Sequence, residues 1–91
     1  MSVTKIFRPE VNGCLPMAQV YENNYDSSLS KINRLAAELK NDFSGVTDEK
    51  IKTHKYAGVR QKGIPFVEVQ LEKGTEAPEG YTVVSDIESI L

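Results

Sequence analysis

The chain has 91 residues, 40% of them hydrophobic and 26% charged, which is enough to fold as one small domain and too apolar for a disordered tail. Its formal charge of −2 provides no global field to draw it onto DNA or anionic lipid. A single Cys excludes an internal disulfide, and with a single His it argues against a zinc site built from this chain alone.

Val11-Asn12-Gly13-Cys14 carries the Asn-Gly pair that suits a type I′ hairpin turn, in which both central residues take φ > 0. Pairing the flanks about that turn puts Val3, Phe7, Pro9 and Val11 on one face with Cys14, Pro16, Ala18 and Val20, and leaves Lys5 as the only charge there. Cys14 then reads as a small buried filler. Pro9 falls opposite Pro16, and neither has an N–H for the ladder, so the hairpin is expected to fray there and to lie at a sheet edge.

Ser27 to Phe43 reads as the main helix. Leu29, Ile32, Leu35, Ala36, Leu39 and Phe43 fall within an arc of about 120° at helical spacing, and Arg34, Glu38 and Asn41 occupy the opposite face. Asp26 or Ser27 suits the cap, and Gly45 the left-handed residue that ends the helix.

Ile51 to Val59 and Ile64 to Leu71 read as a second hairpin around a three-residue loop, Gln61-Lys62-Gly63. This register groups Ile51, Ala57 and Val59 with Val67, Val69 and Leu71, leaving Lys55 as the exception. Glu72 to Gly80 is a polar loop and Tyr81 to Val84 a short strand. Ser85-Asp86-Ile87-Glu88 has the form of a capping box, opening a last short helix with Ile87, Ile90 and Leu91 on one side. The order is β-β-α-β-β-β-α across a single domain, 1–91. It predicts a small α+β two-layer fold in which the long helix packs on one face of an antiparallel sheet.

The sequence contains no Walker loop, no dinucleotide-binding glycine fingerprint, no Cys-x-x-Cys and no His-Glu-x-x-His, so neither a cofactor nor a metal is expected. Asp48 with Glu49, and Glu76 with Glu79, read as solvated turn charges. His54, flanked by Lys52 and Lys55, lacks a partner nucleophile or carboxylate nearby in sequence, and Cys14 lacks a base, so the chain does not read as an enzyme. Met1 to Pro9 holds no apolar stretch of signal-peptide length, no segment approaches the length of a membrane span, and the expected location is the cytoplasm without membrane attachment.

The second hairpin stands out. Lys50 to Lys62 holds five Lys or Arg and no acid. The three-residue loop puts Lys52, His54, Tyr56 and Arg60 on the outer face with Phe66, Glu68 and Gln70, and Lys62 sits in the turn. Tyr56 and Phe66 become diagonal neighbours. Aromatic rings among cations suit a protein interface. The same layout suits single-stranded nucleic acid, which stacks its bases on such rings. From Gly63 to Leu91, however, six Asp or Glu stand against one Lys, which counts against phosphate binding. The first reading is therefore a small non-enzymatic binding or regulatory domain acting through a protein partner at Lys52, His54, Tyr56, Arg60, Lys62 and Phe66. Single-stranded nucleic acid on the same face is the alternative. A third possibility is that the last helix folds over Tyr56 and Phe66 and hides them. The sequence does not set the oligomeric state.

Overall fold

The computed structural model describes residues 3–22, 29–56 and 64–85. In chain order the elements are β1 (Val3–Arg8), β2 (Met17–Glu22), α1 (Leu29–Asp42), a 3-10 turn (Asp48–Lys50), β3 (Ile51–Tyr56), β4 (Ile64–Gln70) and β5 (Thr82–Val83). They form one five-stranded sheet in the order β3-β4-β2-β1-β5, with α1 on one face, and the α+β class follows.

The first hairpin has the register its turn demands. Asn12 and Gly13 have φ of 55° and 80°, Cys14 N–H donates to the Val11 carbonyl at 3.0 Å, and Lys5 pairs with Val20 and Phe7 with Ala18. Pairing stops at Arg8 and Met17, just before the two prolines, as their missing N–H groups require. Two expectations fail there. The tip leaves the sheet, so Cys14 is exposed rather than buried, and Val11 and Leu15 are exposed with it. The hairpin is also central rather than at an edge, because β2 pairs with β4 and β1 pairs with β5.

The sheet is mixed, not wholly antiparallel. β5 runs parallel to β1, with Ile6 opposite Thr82 and Phe7 opposite Val83. A parallel neighbour needs a crossing connection. Leu71 to Pro78 supplies it, lining a cleft with Phe43, Gly45 and Val46 at the end of α1.

Helix α1 buries Leu35 and Leu39, and Phe43 just past its end, against Phe7, Ala18, Val20, Val67, Val69 and Leu71. Ile32 and Ala36 pack at the margin of this core. Gly45, at φ 79°, provides the left-handed residue that follows the helix. Arg34 and Asn41 are exposed, but Glu38 is only half-exposed and faces Lys5. The proposed caps Asp26 and Ser27 lie outside the described residues.

In the second hairpin the faces are as expected and the register is not. His54 stands opposite Phe66 and Tyr56 opposite Ile64, whereas a Gln61-Lys62-Gly63 loop would set His54 opposite Gln70. The shift is four residues. An even shift keeps every side chain on its face, which is why hydrophobic patterning alone does not detect it. The three-residue loop itself, Ala57, Val59, Arg60 and Lys62, and the last helix with its Glu88 contact to Ser85, lie outside the described residues.

Candidate functional site

The face of the sheet away from α1 carries Ile6 from β1, Gln19 and Tyr21 from β2, Phe66 and Glu68 from β4, and Lys52 and His54 from β3. Strand alternation places them together. Lys52 pairs with Glu68 and His54 with Phe66 across β3 and β4, and Tyr21 pairs with Phe66 across β2 and β4. Burial is graded across this face. Ile6 and Tyr21 are completely buried and Gln19 nearly so, Phe66 and Glu68 are half-buried, the His54 side chain is 39% exposed, and Lys52 is exposed. Among these residues, exposure rises toward β3.

Three rings stack across three strands. The Phe66 ring lies 5.2 Å from Tyr21 at 25° and 4.9 Å from His54 at 21°, with one neighbour on each side. A hydrogen-bonded chain runs alongside. Tyr21 Oη donates to Gln19 Oε1 at 3.3 Å, Gln19 Nε2 donates to Glu68 Oε2 at 2.9 Å, and Glu68 Oε1 lies 3.7 Å from His54 Nε2. The carboxylate thus sits amid the cations and rings picked out in the sequence.

Of the six residues read from sequence, the structure brings Lys52, His54 and Phe66 to one face. Tyr56 stands opposite Ile64, two residues before Phe66, so the observed register still sets the Tyr56 and Phe66 positions on one diagonal of the sheet. The Tyr56 side chain, and Arg60 and Lys62, lie outside the described residues. Sequence reasoning missed Tyr21 and Gln19. The available signal was alternation: Tyr21 and Gln19 flank Val20 and so point away from the core face. Their meeting with Phe66 and Glu68 depends on the β2–β4 pairing, which no local pattern encodes.

Two clefts lie elsewhere on the described surface. A cleft of about 250 Å³ at the tip of the first hairpin is lined by Arg8, Pro9, Val11, Cys14, Leu15 and Met17. Another, of about 440 Å³, lies at the end of α1 between Phe43, Lys50, Leu71 and Glu76. Among the described residues, no group of three or more His, Cys, Asp or Glu is placed to hold a metal ion, and no helix is long and apolar enough to cross a membrane.

Compared with protein-family models, curated proteins and solved structures, the chain matches none.

Proposed function

We propose that this chain is a small non-enzymatic binding domain that takes a protein partner along β3 and the outer face of the second hairpin. The observation that carries this reading is the position of β3. It is the end strand of the sheet, its middle residues Lys52 and Thr53 are exposed, and among the described residues no strand pairs with its far side. An end strand presents unsatisfied N–H and C=O groups, and an extended segment of another chain completes them by adding a strand. The other end strand, β5, is two residues long and offers far less of a template.

Single-stranded nucleic acid fits this surface less well. Both sides of the Phe66 ring are occupied, by Tyr21 and His54, so no base can stack there.

The test exposes the full chain separately to a random-octapeptide display library and to mixed-sequence single-stranded oligonucleotides over a salt series. The protein-partner reading expects selected peptides to slow amide exchange along Ile51–Lys55, and the oligonucleotides to leave it unchanged. Protection of β3 by oligonucleotides alone, weakening steeply with salt, would establish the opposite reading.

A further inference from the structure

We infer that the segment docking on β3 is an extended acidic peptide, with Asp or Glu at alternate positions, and not a second copy of this chain. The inference rests on the docking reading above and adds the chemistry of the partner.

The cations of the described surface are mostly matched internally. Lys5 reaches Asp42 at 3.1 Å, Arg34 reaches Glu22 at 3.2 Å, Lys40 reaches Asp48 at 2.8 Å and Lys73 reaches Glu10 at 3.3 Å. Lys50 and Lys52 are exposed and take part in no ion pair among the described residues. Asp48, two residues before Lys50, is engaged by Lys40 instead. Lys52 lies in the strand whose edge is open, Lys50 ends the 3-10 turn immediately before that strand, and alternation puts Lys52 on one face with His54. A partner strand meets Lys52 and His54 with alternate side chains, and an acidic one opposite Lys52 gives a favourable opposite-charge pair. The next position along that face is His54, whose Nε2 is buried without a hydrogen-bond partner and lies 3.7 Å from Glu68.

The same lysines disfavour self-pairing. Ile51–Tyr56 contains no acid, so two copies of β3 bring cations together with no counter-charge. Antiparallel pairing about Lys52 sets it directly opposite its counterpart in the second copy, and like charges so placed are destabilising. Lysine on an end strand commonly guards against association with like strands. Here it does so while leaving the edge available to a strand of opposite charge.

The octapeptide selection also decides this question, through the composition of what it enriches. The expected result is enrichment of Asp or Glu at every second position, with selected peptides protecting Ile51–Lys55 and binding more weakly as salt rises. Lys52→Glu should weaken these peptides at least about fivefold, and Lys52→Gln by less, since reversal replaces attraction with repulsion. Lys52 is exposed, so both variants should melt near the parent, and the enriched composition is read on the parent chain in any case. Peptides that protect β3 but carry no acidic bias would overturn the acidic partner and leave strand docking intact. Peptides that protect other residues, or no enrichment at all, would overturn both. A concentration-dependent dimer that protects Ile51–Lys55 would overturn the exclusion of a second copy.

Discussion

The Tyr81 hydroxyl donates to Asp42 Oδ2 at 3.0 Å, joining the residue just before β5 to the last turn of α1. Lys5 Nζ reaches the same carboxylate oxygen at 3.1 Å and lies 5.8 Å from the centre of the Tyr81 ring. That ring meets Phe43 edge-on at 5.2 Å. Lys5 was the one charge on an otherwise apolar strand face. It is accommodated because the helix end brings it Asp42, with Glu38 at 3.9 Å.

This arrangement gives an alkaline signature. Burial raises the Tyr81 phenol well above its ordinary range, and the hydrogen bond to Asp42 and the charges of Asp42 and Glu38 raise it further. The folded state therefore holds the proton more tightly than the unfolded state, whose phenol titrates near 10. The stabilisation is complete below about pH 10 and is lost as pH rises above it. In a spectrophotometric titration the part of the signal that Tyr81→Phe removes should appear only as the fold opens. Tyr81→Phe should lose about 1.5–3 kcal/mol at neutral pH, the worth of a hydrogen bond to a charged group, and show a shallower decline in stability at high pH.

The buried face of α1 should dominate stability. Leu35 and Leu39 are fully buried, so Leu35→Ala or Leu39→Ala should each cost about 2–5 kcal/mol in urea unfolding. Asn41→Ala, on the exposed face, should stay within about 0.5 kcal/mol of the parent. Equal small effects at all three positions would show that α1 does not cover the core.

Glu22 is fully buried, with Oε2 held by Arg34 Nη2 at 3.2 Å and Oε1 without a hydrogen-bond partner. Arg34→Met should therefore cost about 3 kcal/mol, near the low end for a broken buried pair because the Arg34 side chain is 44% exposed. Glu22→Leu combined with Arg34→Met should recover most of that loss. A double-mutant cycle in denaturant measures the coupling, and strict additivity would show that the pair is not coupled.

Cys14 is exposed at the hairpin tip. A thiol reagent should label it in the native protein at close to the rate for the unfolded chain, and Cys14→Ser should change stability by no more than about 0.5 kcal/mol. Labelling that waits for global unfolding would place the thiol back in the interior.

Where a feature depends on neighbours in sequence, the sequence determined it. The Asn12-Gly13 turn set the register of β1 on β2 because the backbone conformation of those two residues leaves a single way to pair the flanks. The spacing of Leu35, Leu39 and Phe43 set the buried face of α1, because helical periodicity is local. Strand alternation put Lys52 and His54 on the face of Phe66, and that survived a four-residue error in register because the error was even. Pairings between distant segments were decided only by the tertiary structure. The joining of β2 to β4 brought Tyr21 and Gln19 to Phe66 and Glu68, and it moved the first hairpin from the edge to the centre of the sheet. The crossing connection made β5 parallel to β1 and carried Tyr81 to Asp42. Departure of the hairpin tip from the sheet exposed Cys14 on a nominally apolar face. Such contacts depend on which strand edges and faces meet after collapse, and every strand offers two edges whose backbone groups are the same whatever its side chains.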